Sequence, residues 1–200
     1  MESDHLWHRR SSRLPEYDYS QTGAYFITLV AHRRQLLLGE IKDSELHLND
    51  LGQIVLDVWT SLPARYPQVA RGTAVVMPNP FHGIVIIHES PVAMPVGAIH
   101  ESFPPVSSQP ASSQPESPVR ERRAEHRRMT LPLVVGYFKM NSAKRINEAL
   151  GLSGIPVWQR NYYEHIIRDD EEHNRFHLYI ESNIANWTAD DENSLCQGDP

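Results

Sequence analysis

Cysteine is almost absent from this sequence: Cys196 is the only one among 200 residues. A single cysteine excludes a disulfide framework and any zinc site built from cysteines, and it suits a protein of the reducing cytoplasm. Long apolar runs are missing too, because none approaches the ~18–20 residues of a membrane-spanning helix. The polar first residues do not resemble a secretory signal peptide. We therefore expect a cytoplasmic protein with no membrane partner.

An excess of positive charge is also lacking. The formal net charge is −6 at pH 7, which argues against a protein that coats DNA nonspecifically. The acidic residues are concentrated at 169–172 and 190–192. The arginines cluster at 9–10, 33–34 and 120–128. A local basic groove is therefore compatible with the acidic total.

The composition predicts one compact domain with an insertion. Two hundred residues of which 40% are hydrophobic suit a single core. Residues 1–22 form a polar N-terminal lead-in, residues 23–187 form the domain, and residues 188–200 form an acidic tail that we expect to be disordered. Residues 89–128 are rich in proline and serine, contain Ser-Ser-Gln-Pro twice, and are predicted to be a flexible insertion.

The hydrophobic pattern predicts the order of strands and helices. Asn49 is a suitable N-cap for the first helix, Pro63 and Pro67 are expected to close it, and Gly151 should stop the second helix. The order fits an α+β protein with a ferredoxin-like antiparallel sheet, helices on one face, and an added C-terminal helix. The predicted segments are strands at 24–30, 73–77 and 82–88, a strand or extended segment at 157–163, a hairpin at 36–41 and 45–48, and helices at 50–62, 131–150 and 169–183.

Three of these elements contain residue types that bind or attack phosphates. Tyr179 and Asn183 share one face of the last helix because they are four residues apart. A phenol, with an ordinary pKa near ~10, needs orientation and help with proton loss before it attacks at neutral pH. The other two elements are the turn that leads to His82 and a basic helix with Lys139, Lys144 and Arg145.

Short motifs follow one another in a specific order over most of the chain outside the insertion. Together they resemble the IS200-like, REP-associated tyrosine transposases, a family of HUH-type single-strand DNA transposases. The motifs are Arg9-Arg10-Ser11, Tyr17-Asp18-Tyr19, Gly23-Ala24-Tyr25-Phe26-Ile27-Thr28, Val75-Val76-Met77-Pro78-Asn79, His82-Gly83-Ile84, Phe138-Lys139, Lys144-Arg145-Ile146-Asn147, Val157-Trp158-Gln159-Arg160-Asn161-Tyr162-Tyr163 and Tyr179-Ile180.

The resemblance implies a metal-dependent enzyme that cleaves and rejoins single-stranded hairpin DNA. Its members hold Mg²⁺ or Mn²⁺ with two histidines separated by one hydrophobic residue. A tyrosine then leaves a covalent 5′-phosphotyrosine and a free 3′-hydroxyl. Carried over by position, Tyr179 is the nucleophile, His82 is the second histidine, Phe81 is the residue between them, and Asn183 is an amide able to complete the metal shell. A homodimer is also implied by the resemblance.

The family pattern is broken at Pro80, which stands where the first histidine belongs. Proline has no ligating side chain, so this motif cannot supply two imidazoles. The alternative is a catalytically decayed relative that still binds DNA. Structural roles also stay open, since His82 suits a core histidine, Tyr179 a packing residue, and Asn183 a helix C-cap.

DNA contacts are predicted on two segments. Lys139, Lys144 and Arg145 are expected near phosphates. Arg160 and Tyr162 are the candidates on the second segment, where an aromatic ring is able to stack on an unpaired base. Trp158, nearby, is predicted to pack inside the protein instead.

Overall fold

The computed structural model describes residues 17–89 and 129–187. The predictions for residues 1–16, for the insertion from 90 to 128 and for the tail at 188–200 lie outside these described residues. Six strands and three long helices are present in the described parts. They are β1 (Gly23–Val30), β2 (Gly39–Lys42), β3 (Glu45–Leu48), α1 (Asp50–Arg65), β4 (Val69–Val76), β5 (Pro80–Ile87), α2 (Thr130–Ala149), β6 (Tyr163–Ile167) and α3 (Asp170–Asn186).

The main sheet has four antiparallel strands in the order β4-β5-β1-β6. Helix α1 connects β1 to β4 and helix α2 connects β5 to β6, so the ferredoxin-like prediction is confirmed. Strands β2 and β3 form a separate hairpin, with positive φ angles at Asp43 and Ser44 in its turn. Both residue types tolerate this left-handed backbone better than branched residues do.

The two faces of the sheet are covered by different helices. Alternate residues of β1, such as Tyr25 and Ile27, point to the core shared with α1 and α2. Phe26 points to the other face of the sheet. There it packs with Ile84 of β5, Ile167 of β6 and Ile180 of α3. Helix α3 therefore lies on the face of the sheet opposite α1 and α2.

Local side-chain chemistry explains where the helices begin. The Asn49 side chain accepts hydrogen bonds from the backbone N–H groups of Leu51 and Gly52, both at 3.0 Å, as predicted for an N-cap. Asp169 begins α3 in the same way, accepting from the Glu172 N–H at 2.7 Å. No helix in the described parts of the chain combines the length and the apolar character needed to cross a membrane.

Several predicted boundaries were wrong: β4 begins at Val69 rather than at 73, and β2 begins at Gly39 rather than at 36. Pro63 does not close α1, which continues to Arg65; proline removes only one backbone donor this close to the end of the helix. The strand predicted at 157–163 is instead β6 at Tyr163–Ile167. Before it, Trp158 makes only an isolated bridge to Ala31. The apolar, aromatic residues there are used for core packing, which strand propensity does not distinguish.

Residues 17–22 of the predicted lead-in belong to the packed domain. Tyr19 is 1% exposed and lies in the core. Its carbonyl accepts a hydrogen bond from the Leu131 N–H at 3.1 Å, and the Ser20 hydroxyl accepts from the Thr130 N–H at 3.1 Å. This segment therefore caps α2.

Candidate functional site

A cleft of about 510 Å³ lies between the sheet and α3. Three neighbouring strands form the floor of the cleft. Thr28 on β1 pairs with His82 on β5 and with Tyr163 on β6, so the three residues lie side by side. Helix α3 provides the opposite wall. The residues that line the cleft are Phe26, Thr28, His82, Tyr163, Arg175, Phe176 and Tyr179.

His82 is held rigidly in the floor of this cleft. It is 2% exposed, and its Nδ1 lies 2.9 Å from the Thr28 hydroxyl oxygen. Its other ring nitrogen, Nε2, has no hydrogen-bond partner among the described residues. The ring is nearly parallel to that of Phe26, with centroids 5.8 Å apart. Burial lowers the pKa of His82 from 6.5 to about 4, so the imidazole is neutral at neutral pH.

Tyr179 reaches the cleft from α3. Its ring stands edge-on to the His82 ring, with centroids 5.5 Å apart and planes at 82°. It also meets the Phe26 ring edge-on, at 5.9 Å. The side chain is 44% exposed. The structure therefore brings the predicted nucleophile and the predicted histidine together, with the tyrosine still accessible from solvent.

Asn183 lies one helical turn beyond Tyr179 but is not among the residues that line the cleft. It is 3% exposed, and its Oδ1 has no hydrogen-bond partner in the described parts of the chain. Helix α3 continues to Asn186, with Trp187 as its C-cap, so Asn183 is not a helix cap.

The donors at this site do not fit a divalent metal ion. Pro80, in the position of the first histidine, is buried and pairs with Val30. Within residues 17–89 and 129–187, no three His, Cys, Asp or Glu side chains cluster closely enough to hold a metal. Mg²⁺ and Mn²⁺ favour carboxylate and other oxygen ligands. His82 and Asn183 alone do not supply such a set, so the metal implied by the resemblance has no matching ligands here.

The basic residues of α2 do not lie at this cleft. Helix α2 covers the opposite face of the sheet. The Lys139 ammonium donates to the carbonyls of Gln159, Arg160 and Asn161 at 2.6, 3.0 and 3.4 Å. It therefore supports residues 159–161, the segment before β6. Lys139 therefore lies away from the Tyr179 cleft, and its predicted phosphate contact stays a prediction.

Lys144 and Arg145 lie on the same distant face. The Lys144 ammonium is 3.9 Å from Glu148, and Arg145 is 3.6 Å from Asp57 of α1. Both pairs are exposed, and such pairs contribute little to stability. Any DNA contact by these two residues is separate from the cleft, because the sheet stands between them.

The three aromatic residues Trp158, Tyr162 and Tyr163, in and just after the segment before β6, have different surroundings. Trp158 is buried as predicted, and its indole N–H donates to the Ser142 hydroxyl at 2.9 Å. Tyr162 is partly buried and packs against the core under α1 and α2. Tyr163, which is 50% exposed, is the aromatic that lines the cleft. Tyr162, predicted to stack on a base, thus points away from the cleft. Arg160 is exposed in this segment, and its DNA contact stays a prediction.

Sequence reasoning missed most of the cleft lining. Arg175 and Phe176 precede Tyr179 by four and three residues, so helical spacing places them on its face of α3. That spacing was a usable signal. Phe26 and Thr28 had no such signal, because their position depends on the pairing of β1 with β5 and β6.

Comparisons with known proteins found several solved structures, of which two are described here, and one curated relative. The solved structure of a REP-associated tyrosine transposase bound to a REP hairpin is 18% identical, with a TM-score of 0.46, covering 88% of this chain and 74% of that one. A Deinococcus radiodurans protein described as a candidate transposase is 13% identical, with a TM-score of 0.42, covering 81% and 91%.

No family model matches the sequence. An uncharacterized protein of Haemophilus influenzae is 35% identical over 190 residues, covering 92% of this chain and 93% of the relative. With this identity over nearly the full length of both proteins, the chain belongs to the same family as the Haemophilus influenzae protein.

Proposed function

We propose that this protein binds single-stranded hairpin DNA and cleaves and rejoins it as a transposase, with Tyr179 as the nucleophile. The observation that carries the proposal is the edge-on contact of Tyr179 with His82 inside an open cleft. The motif resemblance names the same two residues. Tyr179 on α3 and His82 on β5 have to lie close together if both act on one phosphate.

The aromatic walls of the cleft suit an unpaired nucleotide. Phe26, Tyr163 and Phe176 all line it, and Tyr163 is half exposed. Bases stack on aromatic side chains with about 1–3 kcal/mol per base, whatever their identity. A base paired inside a duplex hides its faces in the stack. This lining therefore favours single strands, loops and hairpin ends over plain duplex.

The proposed reaction is an in-line transfer at one backbone phosphorus. The Tyr179 hydroxyl oxygen attacks phosphorus and forms the new O–P bond, while the bond to the 3′ oxygen breaks. The phenol proton leaves to solvent, and the departing 3′ oxygen gains a proton to become a free hydroxyl. Rejoining is the reverse attack by a 3′-hydroxyl on the 5′-phosphotyrosine.

His82 is better suited to position the tyrosine than to remove its proton. Burial lowers the pKa of His82 from 6.5 to about 4. The imidazole is therefore a weak base for removing a proton from a phenol. The fixed imidazole instead gives the phenol ring a rigid neighbour.

A second candidate function is DNA binding without cleavage. Pro80 favours it, because this buried residue removes the first imidazole from the metal-binding motif. The aromatic cleft is unchanged by that loss. A decayed relative would therefore still bind DNA but would no longer cleave it.

Covalent trapping separates the two candidates. The full-length protein is incubated with a labelled single-stranded hairpin, with Mn²⁺ and separately with EDTA, and analysed on denaturing gels. We expect a covalent adduct with the wild type, none with Tyr179→Phe, and wild-type yield with Tyr163→Phe. The last variant is a matched control, because it removes a hydroxyl from the same cleft.

Native binding is measured in parallel with the same hairpin. Binding without an adduct in either buffer would support the second candidate. Failure to bind any single strand would refute both. An adduct that survives Tyr179→Phe would assign the nucleophile to another residue.

A further inference from the structure

We propose that Arg175 is the phosphate-binding group of the cleft, and that DNA is held there without a divalent metal ion. This inference rests on the proposed function, since it assumes that a nucleic acid strand enters the cleft. In this proposal the Arg175 guanidinium binds the DNA phosphate, the role that the resemblance gives to a divalent metal ion. Neither the motifs nor the metal-site expectation included Arg175.

Arg175 is placed correctly for this role. It precedes Tyr179 by one turn of α3, and both side chains line the cleft. Its side chain is 70% exposed, so an incoming strand reaches it without a conformational change. A phosphate held by Arg175 would lie on the same helix face as the tyrosine hydroxyl.

The guanidinium is also anchored from behind. Arg175 Nη2 donates to Glu172 Oε1 at 3.1 Å. The Glu172 carboxylate is itself fixed, because it accepts from the Arg168 backbone N–H and from His165 Nε2, both at 2.8 Å. Its side chain is only 11% exposed. A guanidinium carries five N–H donors in a rigid fork, so one bond to Glu172 leaves donors for a phosphate.

The charges that line the cleft favour an anion over a metal ion. The other lining residues are aromatic rings, the Thr28 hydroxyl and the buried imidazole of His82, so Arg175 is the one side chain with a permanent charge among those that line the cleft. Glu172 balances part of this charge from outside the lining, and the remaining guanidinium N–H groups are donors that bind a phosphate oxygen and cannot ligate a metal ion.

Three variants test the proposal in the full-length protein. The affinity for a labelled single-stranded hairpin is measured by anisotropy in EDTA and in Mn²⁺ at matched ionic strength. We expect equal wild-type affinity in both buffers and a loss of about 10- to 100-fold in Arg175→Gln. Arg175→Lys should retain most of the affinity. Arg65→Gln, an exposed arginine at the end of α1, is the matched control and should bind as the wild type does.

Salt dependence provides a second readout that a merely structural role would not change. The logarithm of affinity falls with the logarithm of salt concentration by about 0.7 for each phosphate contact on a single strand. Arg175→Gln should therefore reduce the slope by about 0.7. Loss of wild-type binding in EDTA, or an unchanged affinity and slope in Arg175→Gln, would overturn the inference.

The inference stays testable even if the proposed function fails. If the wild type binds no DNA in either buffer, inorganic pyrophosphate is titrated in EDTA while the Arg175 Nε–H resonance is followed by NMR, with Arg175→Gln identifying the peak. A saturable shift of that resonance supports the phosphate site. No shift overturns it.

Discussion

The ring of Tyr179 stands edge-on to the ring of His82, with 5.5 Å between their centroids. Nearly one hundred residues separate them in sequence, and they come from α3 and β5. Phe26 contacts both rings, so the three form one aromatic unit across the sheet and the helix. Because His82 is fixed by burial and by Thr28, the position of the phenol depends on how α3 docks.

Burial of neutral His82 predicts a loss of stability in mild acid. Its pKa is about 4 in the folded protein and 6.5 when exposed, so between these values the unfolded chain binds the proton and the folded protein does not. The contribution of His82 is complete above pH 6.5. It falls by about 3 kcal/mol as the pH drops to 4 and is constant below that. Urea denaturation across this range measures it.

His82→Gln is the control for this prediction, because other groups also titrate in acid. The unfolding free energy of the wild type minus that of the variant should decrease as the pH falls from 6.5 to 4, because only the wild type loses the contribution of neutral His82. A difference that stays constant with pH would show that His82 is not buried in its neutral form.

Restoring the missing imidazole should create a metal site. Residues 80 and 82 are two apart on β5, so their side chains point to the same face of the sheet. We expect Pro80→His to raise Mn²⁺ affinity by at least ~10-fold, since even loss of a supporting residue typically changes metal affinity ~10–100-fold. Isothermal titration calorimetry measures it, with Pro80→Val as the non-ligating control. Equally tight Mn²⁺ binding by the wild type would contradict the poor fit of its donors.

Lys139 should matter for stability, whereas Lys144 on the same helix should not. Lys139 donates to three backbone carbonyls at residues 159–161, and hydrogen bonds from charged groups contribute about 1.5–3 kcal/mol. Lys139→Met is expected to lower the unfolding free energy by about 1–3 kcal/mol. Lys144→Met should change it by less than about 0.5 kcal/mol. Urea denaturation compares them, and equal effects would refute the supporting role of Lys139.

Tyr163 and Tyr162 are neighbours with different expected effects. Tyr163 lines the cleft, so Tyr163→Ala should weaken binding of a single-stranded hairpin by about 1–3 kcal/mol with little change in stability. Tyr162 packs against the core, so Tyr162→Ala should lower the unfolding free energy instead. Anisotropy and urea denaturation on both variants test this. If Tyr162→Ala weakened DNA binding and Tyr163→Ala lowered stability instead, Tyr162 would be the residue that stacks on a base.

The starts of the three helices and the end of α2 were predicted well because their signals are local. Asn49 and Gly151 act within one turn of their own helix, and the structure shows the N-cap bonds of the first and the left-handed φ of 66° at the second. The strand before the last helix was misplaced. Trp158 and Tyr162 have strand-like chemistry, but Trp158 makes only an isolated bridge to Ala31, just past the end of β1, and both side chains pack against the core.

By itself, the sequence determined the order of strands and helices, the ferredoxin-like class, and the pairing of a tyrosine with a histidine as candidate chemistry. These follow from periodicity, caps and motifs, which act over short stretches of chain. Only the tertiary structure decided that Arg175 shares a cleft with His82, while Lys139 lies across the sheet. Strand register and the face on which a helix docks depend on contacts between distant residues, and local patterns do not contain them.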